Sequence, residues 1–259
     1  MRYFILNKKN DRSIKVRNEL ERLLSLDKNN IMDEINPDFV FSIGGDGTLL
    51  KSLHKYENIL EKVILIGIHT GKLGFLCNYQ ENDLELILQE IQQGNIKIDE
   101  NKLLKLKYGN EEYYAINEIR IESPYKTMIT KVYINGKELE VYRGNGLNLS
   151  TSLGSSGYNH SLNGPFIQPN LESIILSEIA GINHNAYRSL KSPLVLCNNE
   201  IITLKGTFFN CIIGNDSLYR VVIDDEEIEL EIMLSNKKVR MLNTKGIDYI
   251  DRLRNAFIG

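Results

Sequence analysis

The sequence predicts an α/β N-terminal domain built on a Rossmann-like parallel sheet over residues 1–95, followed by a C-terminal antiparallel β-sandwich domain over residues 96–244. Three observations predict this. Short apolar runs alternate with helical patterns through the first hundred residues, which implies a parallel sheet with helices packed on it. After about residue 96 the patterning turns to period two, broken by Gly, Asn and Asp turns, as in an antiparallel sandwich. A chain of 259 residues is long for one core and comfortable for two modest domains.

Taken in order, "RYFIL" reads as a buried strand. "SIKVRNELERLLSL" reads as a helix with Ile14, Leu20, Leu23 and Leu24 near one stripe and Val16 off it. "DFVFSI" is a second strand, "GTLLKSLHKY" a helix starting near Thr48, and "KVILIGI" a third strand. "ENDLELILQEIQQG" is a helix opened by an Asn/Asp cap and closed at Gly94. In the second half, "YINGKEL" marks a hairpin, because Asn-Gly supplies the positive φ angles of a type I′ turn. The strands continue through "EEIELEIMLS", and a last helical pattern over about 245–259 is expected to pack back on the first domain. A cleft between the domains is the expected ligand site.

Bulk properties exclude several classes. Hydrophobic content of 42% and charged content of 25% are ordinary for a globular chain, and the net charge of −3 shows no basic excess for nucleic acid. Cys77, Cys197 and Cys211 form no CxxC pair, which suits a reducing compartment. No apolar run reaches signal-peptide or transmembrane length, so a cytoplasmic protein with no membrane partner is expected. His54, His69, His160 and His184 form no HExxH, and no metal site built from protein ligands is expected.

The stretch "SIGGDGTLL" places Gly44, Gly45 and Gly47 between a strand and a helix. Glycines there permit left-handed angles and close ligand approach, and with Thr48 at the helix start they form a candidate phosphate site. It lies at the carboxyl end of a strand, where open α/β sheets bind ligands. Asp46 is the anomaly, since a carboxylate repels phosphate. Two readings fit its spacing: a helix N-cap in a tight turn, or a group that takes a proton from an attacking hydroxyl or holds Mg²⁺. "GIHTGKL" is one residue short of a P-loop and lacks the Ser/Thr after Lys72, no GxGxxG follows a strand, and "LGSSGY" lacks GxSxG spacing. A classical NTPase, a nicotinamide dehydrogenase and an esterase are thereby disfavoured.

The segment "RGNGLNLSTSLGSSGYNHSLNGPFIQP", residues 143–169, is rich in hydroxyls, glycines and amides with one tyrosine. A solvated loop is the plain reading. Its length favours function, and its side chains suit ribose hydroxyls and an adenine ring. With "GGDGTLL", "INEIRI", "STSLGSSGYNHSLNGP", "SPLVL" and "VVIDDE" in this order, the sequence resembles the NAD kinase family over nearly its whole length. GGDGT alone is shared with lipid kinases and phosphofructokinases; the ordered set is far more specific.

The resemblance implies phosphoryl transfer from ATP or polyphosphate to the adenosine 2′-hydroxyl of NAD, with Asp46 as general base and Gly47 beside the NAD. Mg²⁺ or another divalent cation is implied with the donor phosphates. Asn117 and Glu118 are implied to bond ribose hydroxyls, against a plain reading as a mid-strand pair. Arg143 is implied to meet NAD, against a surface ion pair. The "SGYNHS" stretch, Ser156, Gly157, Tyr158, Asn159, His160 and Ser161, is implied to line the adenosine pocket, although Tyr158 also reads as core. Ala180 matches a small residue facing NAD, and otherwise looks like a strand-end alanine. Asn145 departs from the family's usual aspartate, Ser156-Gly157 from Thr-Ala, and Ser152-Leu153 from a proline-containing turn. A homodimer or homotetramer is implied as well. A lipid kinase sharing the turn and a non-catalytic nucleotide-sensing module are the competing functions.

Overall fold

Pairing is parallel where the sequence alternates strand with helix and antiparallel where it alternates with period two. A computed structural model describes residues 1–71 and 74–258. The chain divides into two compact units, residues 1–100 with 237–259, and residues 101–236. The element order begins β1 (Arg2–Asn7), α1 (Asp11–Leu24), β2 (Ile31–Met32), β3 (Phe39–Gly44), α2 (Asp46–Lys55), β4 (Ile64–His69), β5 (Tyr79–Gln80) and α3 (Leu84–Gln93). It continues β6 (Ile98–Tyr108), β7 (Glu111–Ala115), β8 (Glu118–Glu122), β9 (Met128–Ile134), β10 (Lys137–Gly144), β11 (Gly146–Thr151) and α4 (Tyr158–Ser161). It ends β12 (Ser173–Ile179), β13 (Leu194–Cys197), β14 (Ile202–Asn215), β15 (Leu218–Leu242) and α5 (Tyr249–Leu253).

In the first unit the strands run in parallel in the order β2-β1-β3-β4, and Arg240 and Met241 of β15 pair in parallel with Ile64 and Leu65 of β4. Every residue of β4 is buried, as expected of a strand covered on both faces. Leu20, Leu24, Phe41, Ile43, Ile66, Ile68 and Tyr79 form its core.

The helices follow local rules, with two departures from the sequence pattern. Asn10 caps α1, its side chain accepting the Ser13 N–H at 2.8 Å. The buried face of α1 is Ser13, Val16, Leu20 and Leu24; Val16 is 5% exposed and Ile14 43%. The stripe is therefore rotated from the one the apolar pattern suggests, because it includes a serine whose hydroxyl bonds Thr70 Oγ1 at 2.8 Å. Helix α2 starts at Asp46, two residues ahead of the expected Thr48. Helix α3 closes at Gly94, whose φ of 69° is the left-handed C-cap predicted for it.

The second unit is largely antiparallel, in the order β13-β12-β11-β8-β14-β15, with β9 pairing both β10 and β14 and β6 pairing β7. Asn135 and Gly136, at φ 49° and 78°, make the predicted β9–β10 turn. Strand β14 changes neighbour along its length: residues 202–207 pair β9 and residues 212–215 pair β8. Register shifts between Gly206 and Cys211, where β14 meets β15, lie between those two stretches. Ile119, Leu149, Ile174, Leu204, Phe208 and Ile213 are among its core residues. Among the described residues no helix is long and apolar enough to cross a membrane.

The rotated α1 stripe is checkable by truncation. Leu20→Ala is expected to destabilise by about 2–5 kcal/mol and Ile14→Ala by less than about 0.5 kcal/mol, read from thermal or urea unfolding. Equal losses at the two positions would contradict the observed phase of the helix.

Candidate functional site

The strand-to-helix turn of the first unit gives Asp46 an unexpected partner. Gly45 is the N-cap of α2 and makes no side-chain cap bond; Asp46 is the first helical residue. Its carboxylate does not cap its own helix, so the N-cap reading is corrected. It accepts three consecutive backbone N–H groups instead, Phe75 on Oδ2 at 2.6 Å and Leu76 and Cys77 on Oδ1 at 3.0 and 3.2 Å. Successive amides of this kind form an anion-binding nest. Gly74 makes the approach possible, since a Cβ there would lie 2.2 Å from Asp46 Oδ1. Burial first, and then the Asp46 charge, push the neighbouring Cys77 thiol well above its usual value.

The three turn glycines do not take the left-handed angles expected of them: none has a positive φ. Gly44 is required by packing, because a Cβ would meet Thr48 Oγ1 at 2.3 Å. At Gly45 and Gly47 an added Cβ meets nothing within 4 Å, so both leave open space. That space belongs to a cavity of about 740 Å³, which Gly44, Gly45, Gly47 and Thr48 line together with Lys8, Lys9 and Lys51. The uncapped start of α2 and the three lysines give this cavity a lining whose charge suits an anion. The lysines escaped the sequence reading. Their signal was positional: Lys8 and Lys9 follow β1, which pairs with β3, and Lys51 sits one helical turn beyond Gly47.

In the second unit Asn117 and Glu118 stand at the junction of β7 and β8 rather than in mid-strand. Asp216, in the β14–β15 turn at φ 47°, accepts the N–H groups of Ile116 and Asn117 at 2.7 Å each and of Glu118 at 3.3 Å. Asp216 is 1% exposed, and its own N–H donates to the Glu118 carbonyl at 3.1 Å. The sequence pattern gives no sign of this role. The long loop is stitched to the same junction: Thr151 N–H donates to the Asn117 carbonyl at 2.9 Å, and Thr151 Oγ1 to the Ile116 carbonyl at 2.6 Å. Glu118 is 5% exposed. Burial, then the Asp216 charge, push its carboxyl up to about 7, against Arg120 and the Tyr158 N–H. The Arg120 guanidinium lies 4.7 Å from the Tyr158 ring centroid.

The remaining predicted residues separate by environment. Ser156 and Tyr158 are half-buried, while Gly157, His160 and Ser161 are exposed; His160 stacks on Phe166 with centroids 4.7 Å apart. Asn159 is fully buried and braces the loop: Nδ2 donates to the Ser155 and Pro165 carbonyls at 3.0 and 3.2 Å, and Oδ1 accepts from Ser177 Oγ at 3.1 Å. Arg143 lies 4.4 Å over the Tyr187 ring rather than in a surface ion pair. Asn145 Nδ2 donates to the Ser123 carbonyl at 3.1 Å, and its backbone N–H to the Ile179 carbonyl at 3.0 Å. Ala180 has φ 49°, a left-handed angle that an alanine does not announce in sequence. Together with Ser161, Glu178 and Lys191 it lines a cavity of about 500 Å³. Lys72 and the side chains of Asp225 and Glu226 lie outside the described residues. Among the described residues no group of three or more His, Cys, Asp or Glu is placed to hold a metal ion.

The chain matches known proteins over its full length. Residues 26–96 match the family model of the ATP-NAD kinase N-terminal domain and residues 109–244 that of the C-terminal domain. The chain is 36% identical over 265 residues to NAD kinase 1 of Bacillus anthracis, covering 100% of this chain and 99% of that protein. It is 33% identical over 273 residues to an NAD kinase of Staphylococcus aureus, covering 100% and 98%. Its fold is that of an Archaeoglobus fulgidus NAD kinase solved with ATP, at TM-score 0.78 and 24% identity over 99% and 97% of the chains. A yeast NADH kinase solved with NADH superposes with TM-score 0.85 at 18% identity, over 100% and 87%.

The raised Glu118 carboxyl has a consequence for stability. A carboxyl whose folded value lies above its unfolded one binds its proton more tightly when folded. Its contribution is complete below about 4.5 and is lost as pH rises through about 7. Glu140, pushed to about 7 by burial and by Glu178, acts in the same window. Thermal unfolding between pH 4.5 and 8 is expected to show a shallower decline for Glu118→Gln than for the parent chain. An identical decline would mean that Glu118 titrates normally.

Proposed function

The chain belongs to the ATP-NAD kinase family and converts NAD to NADP, and we propose that Asp46 is the group that takes the proton from the adenosine 2′-hydroxyl during transfer. The observation that carries this reading is the pairing, in one turn, of an anchored carboxylate with a lysine-lined cavity. The donor's phosphates occupy that cavity, held by Lys8, Lys9 and Lys51 and by the amides at Gly45 and Gly47. The lysine lining and the lack of a carboxylate cluster among the described residues fit a divalent ion carried on the phosphates rather than in a protein cage. Mg²⁺ there supplies charge neutralisation on the transferring group.

The 2′-oxygen attacks the terminal phosphorus, and the bond from that phosphorus to its bridging oxygen breaks. The shortened donor leaves with the electron pair, and the hydroxyl proton passes to Asp46. Asp46 Oδ2 takes a single amide and Oδ1 takes two, so Oδ2 keeps the capacity to accept. On the NAD side, Asn117 and Glu118 bond ribose hydroxyls, with Ser156, Gly157, Tyr158 and Ser161 around the adenosine. Near pH 7 Glu118 can donate as well as accept, which suits a hydroxyl partner. Arg143, Asn145 and Ala180 meet the rest of the dinucleotide. Asn159 acts through the shape of the loop, and exposed His160 stands at its rim. The exposed apolar side chains Ile129, Phe209 and Val222 support self-association as a homodimer or homotetramer.

Incubation with NAD, Mg²⁺ and either ATP or polyphosphate, read by an NADP-specific dehydrogenase, tests the donor. NADP is expected with ATP. Asp46→Asn is expected to lower kcat by about a hundred- to ten-thousand-fold, with a smaller effect on the KM for NAD. Lys51→Ala is expected to raise the KM for the donor. A loss at Asp46 confined to NAD affinity would assign that carboxylate to binding instead.

A further inference from the structure

The segment that holds Asp46 is itself held from far along the sequence, within the same unit. Arg252 of α5 donates through Nη1 to the Phe75 carbonyl at 2.7 Å and through Nη2 to Asp99 Oδ2 at 3.3 Å. Asp99 Oδ2 also accepts from Asn243 Nδ2 at 2.8 Å, and the Asn243 N–H donates to the Lys97 carbonyl at 2.8 Å. The Phe75 ring packs edge-on against Tyr249 at 6.3 Å and tilted against Phe257 at 5.9 Å. Residues 75–77 then present their three N–H groups to Asp46.

Arg252 is 8% exposed. Burying a guanidinium is costly, and an apolar side chain would fasten a short helix at least as well. What an apolar side chain could not do is fix the carbonyl of a particular peptide. A carboxylate held by three donors of one short segment moves with that segment, so the orientation of the Phe75 peptide determines where the Asp46 oxygens lie.

We propose that Arg252 is a positioning residue for phosphotransfer: the Asp99–Arg252–Phe75 link fixes residues 75–77, and through their amides fixes the Asp46 carboxylate. This inference rests on Asp46 being the proton acceptor. Arg252 is not among the residues that line the lysine cavity, so its loss should leave donor affinity alone and lower the rate.

The test uses the full chain and compares Arg252→Met, Arg252→Lys, Asp99→Asn and Asp46→Asn. Arg252→Met is expected to lower kcat by about tenfold or more, with KM for NAD and donor within about twofold. Arg252→Lys should recover part of the rate, and amide hydrogen exchange at residues 75–77 should quicken in Arg252→Met and Asp99→Asn. Parent kcat in Arg252→Met and Asp99→Asn overturns the proposal, as does a rate loss that only tracks the unfolded fraction. If Arg252→Met does not fold, Asp99→Asn decides: lowered kcat with quickened exchange supports the link, and parent kcat refutes it. Asp46→Asn separates the two readings. Parent kcat there removes the base assignment. A large loss there, with Arg252→Met and Asp99→Asn untouched, removes the positioning role alone.

Discussion

Three consecutive backbone N–H groups gripping one carboxylate is the interaction on which both functional segments depend. In the first unit Asp46 takes the amides of residues 75–77; in the second Asp216 takes those of residues 116–118. Hydrogen bonds to a charged acceptor are stronger than neutral ones, and successive amides can converge on one point only when the peptide planes are set. Each carboxylate is therefore locked to three successive peptides, so that the carboxylate and the segment it bonds hold a single arrangement together. Residues 75–77 are fixed together with Asp46, and the junction carrying Asn117 and Glu118 together with Asp216.

Glycine placement follows from the same constraint and sorts into two kinds. Gly74 and Gly154 are sites of close approach: a Cβ would meet Asp46 at 2.2 Å in one case and the Asn117 carbonyl at 2.1 Å in the other. At Gly45 and Gly47 an added Cβ would meet nothing within 4 Å, and their missing side chains widen the lysine-lined cavity. The first kind serves the protein's own backbone, and the second leaves open space at the cavity. Sequence alone does not tell them apart, since all four read as turn residues.

The parallel-to-antiparallel change was legible because side-chain periodicity is a local property, and so were the hairpin at Asn135-Gly136 and the cap at Gly94. The phase of α1 was not, because buried Ser13 belongs to the core face and apolar counting discards it. At the site, the GGDGT turn and the 143–169 segment stood out by composition. The donors to Asp46 did not: they are main-chain atoms about thirty residues away, and an amide leaves no trace in residue type. Asp216 was illegible for the same reason. Asn159 misled in the opposite direction, its carboxamide looking like a ligand group while serving the loop's own carbonyls. Lys8, Lys9 and Lys51 were hidden by the abundance of lysine, and only the neighbouring order of β1 and β3 brings them to one cavity.

Asp46 and Asp216 share a grip and differ in surroundings, and the difference separates chemistry from architecture. In both, one oxygen takes a single amide and the other takes two. Asp216 is 1% exposed and sits beside Glu118, whose carboxyl its charge helps to raise. That environment favours a fixed structural anion. Asp46 is half-buried, and the residues on either side of it line an open, cationic cavity. A carboxylate anchored through one oxygen pair yet bordering space for phosphate can meet a hydroxyl without reorganising, which is how preorganised groups lower a barrier. The amide grip supplies the fixed position, and the open volume at Gly45 and Gly47 leaves room beside it for a ligand.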